Sequence, residues 1–342
     1  MCEYRQEFVM HGSHNHLPQL NGRLFMTDGG LGTTLIFHEH RNLPHFASFM
    51  LLGDARGRQA LWRYYASYAE LAQNYDTGLV LDSPTWRANR DWGAALGYDT
   101  DALKEANHKA ITLLLHLREL YETERNPMVI GGNVGPRGDG YTACDSEGIR
   151  IAADYHRPQI ETLIDAGVDM ISALTMTHSQ EATGIALAAW ACAAPVVVSY
   201  TVETNGRLPS GETLPDAIAR TDDCTSGYPA YYMINCAHPQ HFAPMLEQCD
   251  KCRGRIRGLR ANASCRSHAE LDACQELDAG NPEALGEAHR SLMGLLPNIA
   301  VVGGCCGTDT RHVEAIFRHC AETQAPQQAR AAASYRSPAA KA

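Results

Sequence analysis

The residues with the clearest chemical potential are three cysteines in two short segments of the chain. Cys305 and Cys306 are adjacent in the segment GGCCGT, and Cys236 follows Asn235 in a separate segment. Two neighbouring thiolates can face one metal ion if the backbone turns tightly, and the flanking glycines permit such a turn. Zinc suits thiolate ligands, and three protein ligands leave one tetrahedral position open. The sequence therefore predicts a catalytic zinc site with Cys236, Cys305 and Cys306 as ligands.

The charge of such a site indicates which reactions it favours. Three thiolates more than neutralise a zinc dication, so the metal is a poor Lewis acid for activating water. A thiol that enters the fourth position is deprotonated by coordination, and its sulfur stays electron-rich. The predicted site therefore favours attack of a thiolate on an alkyl group over hydrolysis.

The other cysteines bear on the cellular compartment. The chain has 12 cysteines, and residues 1–22 lack the apolar core of a signal peptide. We therefore expect mostly reduced thiols or metal ligands and a cytoplasmic location. Cys249 and Cys252 have C-x-x-C spacing without a second such pair, and Cys265 follows the seventh predicted strand. A second metal or redox role at the first two, and a site role for Cys265, stay open.

The hydrophobic pattern predicts a fold that would bring the two cysteine segments together. The predicted strands are 24–27, 78–81, 128–132, 169–173, 196–201, 231–235, 256–260 and 299–302. The predicted helices are 58–73, 101–124, 148–166, 178–193, 213–223, 239–248, 282–295 and 309–322. Strict alternation predicts parallel strands with helical crossovers, and eight repeats predict a single closed (β/α)8 TIM barrel.

Polar, glycine and cysteine residues gather just after the predicted strands. The segments are DGGLGT, DSPTW, GGNVGPRGDG, LTMTHS, SYTVET, NCAHP, NASC and GGCCGT. Barrel enzymes carry their active sites at this end of the strands. An open doubly wound sheet is the alternative, but its G-x-G-x-x-G fingerprint does not follow the first strand. We expect a barrel domain at 23–322, a flexible leader at 1–22 and a disordered tail at 323–342.

Composition and charge argue against two classes of partner. The chain has 29 basic and 39 acidic residues, a formal net charge of −10. Nucleic-acid backbones and anionic membrane surfaces both attract basic proteins, so neither is expected as a partner. The uncharged stretch from Ala182 to Val202 contains Pro195 and changes from Ala-rich to β-branched. It predicts a buried helix followed by a buried strand instead of a membrane span.

Taken together, these motifs resemble the homocysteine S-methyltransferases, which include betaine-, S-methylmethionine- and cobalamin-dependent members. The resemblance runs from about Phe25 to Ile316 and rests on Asp28–Thr33, Gly132–Pro136, Asn235–Pro239 and Gly303–Thr308. It implies a (β/α)8 barrel, a zinc cofactor on the three cysteines, and methyl transfer from a small onium donor to homocysteine. The expected partners are a small-molecule thiol and a methyl donor, with homo-oligomer formation left open. A corrin donor would require a separate partner protein.

The resemblance also implies substrate contacts. Asp28, Gly29 and Gly30 match the segment that holds the amino-acid end of homocysteine, with Asp28 as the expected catalytic residue. Asn262 matches an asparagine of the family's substrate loop. Trp86 either lines a pocket for a cationic methyl group or packs at the rim of the site.

One position departs from the family pattern. Leu174-Thr175 stands where family members carry Glu-Thr, and the family's glutamate holds the substrate amino group. Thr175 keeps the family's threonine and is an expected substrate residue. Since leucine cannot accept a hydrogen bond, either another acid, with Glu203 as first candidate, supplies the charge, or the thiol substrate lacks an ammonium group there. Two alternatives to homocysteine methylation therefore remain: the same zinc-thiolate chemistry on a different thiol, and a non-catalytic barrel that binds zinc and a thiol.

Overall fold

The computed structural model describes residues 17–142 and 148–335, with side chains described except at residues 250, 251 and 324–335. Eight parallel strands form a closed barrel in chain order, which confirms the predicted fold. The strands are β1 (Phe25–Thr27), β2 (Gly78–Asp82), β3 (Met128–Val134), β4 (Met170–Met176), β5 (Val196–Tyr200), β6 (Tyr231–Asn235), β7 (Ile256–Ala261) and β8 (Val301–Gly304). β8 pairs with β1 and closes the barrel.

Helices surround the barrel and connect its strands. The main helices are α1 (Ala55–Asn74), α2 (Thr100–Tyr121), α3 (Ile149–Asp165), α4 (Ser179–Ala191), α5 (Leu214–Thr225), α6 (Pro239–Glu247), α7 (Pro282–Met293) and α8 (Thr310–Tyr335). Shorter helical segments lie in the loops at Pro18–Leu20, Leu31–Thr33, Thr34–His38, Pro44–Phe46, Ser48–Gly53, Arg90–Ala95, Asp250–Arg253 and His268–Asp272. Side chains cap the N-termini of several helices. At the start of α2, for example, the Asp99 carboxylate accepts a hydrogen bond from the Ala102 N–H at 2.8 Å.

The interior of the barrel has two layers of different character. The layer nearer the N-terminal ends of the strands is apolar and contains Phe25, Val80, Val129, Met170, Val197, Tyr231, Met233 and Val301. Side chains two positions further along a strand point to the same face. In this chain those positions are polar and buried, and they include Asp82, Ser172, Ser199 and Asn235. Because barrel interiors are usually filled with apolar side chains, the polar layer marks the functional end.

The described helical segments extend beyond both predicted tail boundaries. Leu17 and Gln19 are buried, and the Gln19 amide donates to the Tyr231 hydroxyl at 3.2 Å, so the barrel interior holds this part of the predicted leader in place. α8 continues through Tyr335, beyond the predicted end of the barrel at residue 322. The rest of the predicted leader, 1–16, and residues 336–342 lie outside the described residues.

The long uncharged stretch forms a helix and a strand, as predicted. Its first part lies in α4 and its second part in β5, and both are buried in the barrel. Among the described helices, none combines the length and the apolar character needed to cross a bilayer.

Candidate metal and substrate site

Three cysteine sulfurs meet at the C-terminal end of the barrel. The Sγ atoms of Cys236, Cys305 and Cys306 lie within 4.8 Å of one another. Cys236 follows β6 and the other two follow β8, so the chain brings them together across 69 residues. In the part of the chain that the structure describes, this is the single group of three potential ligand residues at such short range.

The cysteine cluster has the donor set that a zinc ion needs. Zinc–sulfur bonds of about 2.3 Å in a tetrahedral site place sulfurs about 3.8 Å apart, and the three sulfurs here are close enough to share one ion once none of them is bonded to another. Cys236 and Cys305 are joined as a disulfide, with Cα atoms 5.4 Å apart, so metal binding requires that this pair be reduced.

The end of β7 positions both cysteine segments. The Cys236 N–H donates to the Arg260 carbonyl at 3.1 Å, and the Cys305 N–H donates to the Ala261 carbonyl at 2.8 Å. The Cys306 carbonyl in turn accepts from the Ala263 N–H at 3.0 Å. Because β7 lies between β6 and β8, its backbone fixes the distance between Cys236 and the other two cysteines.

Asn235 supports Cys236 from the other side. Its side chain accepts from the Thr175 N–H at 3.0 Å and donates to the Thr175 hydroxyl at 2.8 Å. Thr175 and Cys236 both have left-handed backbones, with φ of 63° and 54°. Such conformations are uncommon outside glycine and persist where surrounding contacts impose them. Thr175, predicted as a substrate residue, thus has its hydroxyl engaged in holding the strand ends beside the cysteine cluster.

A buried charge triad lies directly beneath the cysteine cluster. The Arg260 guanidinium pairs with Asp28 and, at 2.5 Å, with Asp82, and its Nε donates to the Gly304 carbonyl. The Tyr64 hydroxyl donates to the second oxygen of Asp28 at 3.0 Å. Burial raises the pKa of Asp28 to about 6, outweighing the opposing effect of Arg260. The predicted catalytic Asp28 therefore has both oxygens engaged by other side chains.

The two glycines after Asp28 bring the first loop against the cysteine loop. A Cβ on Gly30 would collide with the Cys305 carbonyl, and one on Gly29 would collide with the Tyr68 hydroxyl. The Gly30 N–H also donates to the Thr308 carbonyl at 3.0 Å. Both predicted substrate glycines thus border the cysteine cluster through their backbone.

Two residues that the sequence analysis missed link Glu203 to the cysteine cluster. The Tyr141 hydroxyl lies 3.7 Å from Cys306 Sγ, and the Tyr141 ring lies 4.1 Å from the His268 ring. His268 lies 2.6 Å from the Cys236 carbonyl through Nε2 and 3.1 Å from the Glu203 carboxylate through Nδ1. Burial raises the pKa of the Cys306 thiol. Tyr141 and His268 lie in loop segments without a recognisable motif. The sequence signals that could have identified them are the glycine-rich segment before Tyr141 and the segment SHAELD, which contains His268.

Trp86 and Asn262 line the same end of the barrel. The Arg87 guanidinium lies 4.0 Å from the centre of the Trp86 ring, so a cation of the chain itself occupies that face. The Trp86 indole N–H donates to the Leu174 carbonyl at 3.2 Å, and Leu174 is buried. One face of the Trp86 ring is therefore covered by Arg87. The Asn262 N–H donates to the Ala237 carbonyl at 3.2 Å, next to Cys236.

The remaining candidate cysteines do not join the cysteine cluster. Cys249 and Cys252 lie between α6 and β7, near the N-terminal end of the barrel, and the Cys252 N–H donates to Cys249 Sγ at 3.4 Å. Burial raises the pKa of the Cys252 thiol to about 12, which disfavours its thiolate. Cys265 is exposed.

Known proteins share this fold and these motifs. Residues 25–320 match the family described as homocysteine S-methyltransferase. An Escherichia coli homocysteine S-methyltransferase is 32% identical over 65% of this chain and 74% of its own length. A selenocysteine Se-methyltransferase from Brassica oleracea is 21% identical over 90% of this chain and 91% of its own. Crystal structures of the E. coli homocysteine methyltransferase MmuM in oxidised and metallated forms superpose with TM-scores of 0.69 and 0.67. Both are 20% identical and cover 87% of this chain and 96% of theirs.

Proposed function

The chain belongs to the homocysteine S-methyltransferase family, and we propose that it is a zinc-dependent enzyme that methylates the sulfur of homocysteine. The methyl group comes from a small onium donor such as S-methylmethionine or a betaine, and the product is methionine. The observation that carries this proposal is the cysteine cluster, whose three sulfurs lie within 4.8 Å of one another at the C-terminal end of the barrel.

Cys236, Cys305 and Cys306 are the proposed zinc ligands. When bound, zinc lowers the pKa of an incoming thiol and presents it as a nucleophilic thiolate. The β7 backbone holds the cysteine segments in place, and the first loop closes the side of the site through Gly29 and Gly30. Tyr141 contacts Cys306 and His268 contacts the Cys236 carbonyl, and in this proposal both limit the access of water to the reacting sulfur.

The charge around the cysteine cluster favours a cationic methyl donor. Glu203 lies 3.1 Å from His268, and the pKa of Asp272, which also interacts with His268, is raised by partial burial and by Asp139. Acidic groups around a cleft attract cations and repel anions. An onium donor carries the required positive charge and needs no partner protein.

A second candidate function keeps the zinc chemistry and changes the thiol. The observation that favours it is Leu174, which is buried beside Trp86 and offers no hydrogen-bond acceptor from its side chain. We also propose that the catalytic domain comprises residues 23–322 together with Leu17–Leu20. A cytoplasmic location is part of the proposal, because the cysteine cluster binds metal only in its reduced state.

The proposed function predicts a specific product. Reduced, zinc-loaded protein is incubated with S-methylmethionine or glycine betaine and with homocysteine or cysteine, and the products are measured by mass spectrometry. We expect methionine from homocysteine with at least one onium donor, and none from protein whose zinc was removed by a chelator. Methylation of cysteine alone would favour the second candidate. Failure of every pair to give a methylated thiol would contradict the proposal.

A further inference from the structure

Three polar atoms on the inner face of β2, β3 and β4 have no hydrogen-bond partner among the described residues. They are Asp82 Oδ1, Ser172 Oγ and Asn133 Oδ1. Asp82 is 5% exposed and Ser172 is 1% exposed. Buried polar atoms are nearly always paired, and an unpaired carboxylate oxygen is the most costly of the three. These atoms therefore point to a partner that comes from outside the chain.

The three atoms face the same space. Asp82 on β2 pairs in register with Gly131, and Asn133 pairs with Ser172 on β4, so all four positions share the inner face of the barrel. A Cβ on Gly131 would collide with both Asp82 Oδ1 and Ser172 Oγ. The two oxygens thus converge over Gly131, where the missing side chain leaves them room.

The charge of this space is negative. Arg260 pairs with one oxygen of Asp82 and one of Asp28, and Tyr64 donates to the other oxygen of Asp28. Two carboxylates face one guanidinium, and Asp82 Oδ1 is the carboxylate oxygen left over. All three unpaired atoms can accept hydrogen bonds, so the matching ligand group is a cation that donates several of them, as an ammonium does.

This space lies next to the cysteine cluster. The Arg260 carbonyl accepts from the Cys236 N–H, and its guanidinium reaches both Asp82 and the carbonyl of Gly304, the residue before Cys305. Arg260 therefore contacts both cysteine segments, one through its carbonyl and one through its guanidinium, and it binds the other oxygen of Asp82. A molecule that bound the cluster through sulfur and extended into the barrel would meet Asp82.

We propose that Asp82 Oδ1, with Ser172 Oγ and Asn133 Oδ1, binds the ammonium group of an amino-acid thiol. The proposal rests on the proposed function, since homocysteine carries both the thiol for the cysteine cluster and the ammonium for this pocket. Asp82 is then the residue that determines specificity for an amino-acid acceptor. Asp82 supplies the negative charge that the family's glutamate provides and that Leu174, at the same position, lacks. Glu203 stays paired with His268.

The test compares homocysteine with 4-mercaptobutanoate, which lacks the amino group. Binding of both thiols to the reduced, zinc-loaded protein is measured by calorimetry, without a methyl donor. We expect the wild type to prefer homocysteine by about 30-fold or more, as for other buried charge pairs. In Asp82→Asn we expect the preference to fall below about threefold, with the affinity for 4-mercaptobutanoate nearly unchanged. Ser172→Ala, which leaves the charge in place, should lower the preference less.

Asp222→Asn is the matched control. Asp222 pairs with Arg255 at 2.8 Å, near the opposite end of β7, and its loss should leave the preference as in the wild type. Equal binding of both thiols to the wild type, or an unchanged preference in Asp82→Asn, would overturn the proposal. If Asp82→Asn does not fold, an unchanged preference in Ser172→Ala overturns it and a reduced one supports it. Methylation without a preference for the amino group would refute the ammonium pocket alone, whereas absence of thiol binding and methylation would refute the proposed function.

Discussion

The Cys305→Ala variant is expected to lose its zinc and its methyltransferase activity together. Structural zinc sites contribute about 10–16 kcal/mol, so one ligand of four accounts for about 2.5–4 kcal/mol. The loss of Cys305 should therefore weaken zinc binding by about 60- to 700-fold. The thiol substrate then has no metal to deprotonate it, and methyl transfer should fall to background. Zinc affinity is measured by competition with a chromophoric chelator, and activity by mass spectrometry of the methylated thiol.

Cys249→Ala is the control for this experiment. Cys249 is also a partly buried cysteine, but it lies beside Cys252, away from the cysteine cluster. Its loss should leave zinc content and activity near those of the wild type. Far-UV circular dichroism of Cys305→Ala should match the wild type, because a barrel of this size buries enough apolar surface without a metal. Loss of zinc in Cys249→Ala with retention in Cys305→Ala would show that the cluster is not the metal site.

The Arg260→Met variant is expected to lose much of the protein's stability. It leaves the carboxylates of Asp28 and Asp82 buried without their common cation. Breaking a buried ion pair from one side costs about 3–5 kcal/mol. We expect a decrease of this size in the free energy of unfolding, measured by urea denaturation at pH 8. Arg290→Met, which breaks an exposed pair with Glu287, should cost about 1 kcal/mol or less.

The effect of Arg260→Met should depend on pH with a definite sign. In the wild type, burial already raises the pKa of Asp28 from 3.8 to about 6. Removing the guanidinium raises it further, so the folded variant binds protons more tightly than the unfolded chain does. The contribution of Asp28 to the variant's stability is therefore largest below pH 4 and is lost as the pH rises from about 4 through the raised pKa above 6. A defect that is larger at pH 5 than at pH 8 would contradict this explanation.

The barrel and the cysteine cluster were predictable from the sequence because each leaves a local pattern. All eight strands were placed within three residues at each end, since apolar runs and amphipathic runs alternate along the chain. Cys305 and Cys306 are neighbours between glycines, and Cys236 ends a strand of the same barrel. Because parallel strands end on the same side, placing both segments at strand ends was sufficient to bring them together.

The charge triad was not predictable in the same way. Arg260 lies 232 residues from Asp28 and 178 from Asp82, and its pairing depends on which strand positions point inward at the same level. If the pairing register of a strand shifted by one residue, its side chains would point to the opposite face of the sheet. Tyr141 and Cys306, 165 residues apart, meet through a loop that has no periodicity. The sequence did not predict the burial of Leu17 and Gln19, because so short a buried segment has the same composition as a surface loop.

The placement of the cysteine cluster on β6 and β8 has a consequence for the order of assembly. An unfolded chain offers a metal two adjacent thiols, with the third 69 residues away, whereas the closed barrel presents all three at once. The chain therefore binds the metal after the barrel has closed, and a bound ion then links β6 and β8, the two strands that flank β7. Because the ion binds the folded chain more tightly than the unfolded one, stability rises with the free metal concentration. One of the two linked strands, β8, also pairs with β1 to close the barrel, so we expect a bound metal to stabilise the closed barrel as well as the site.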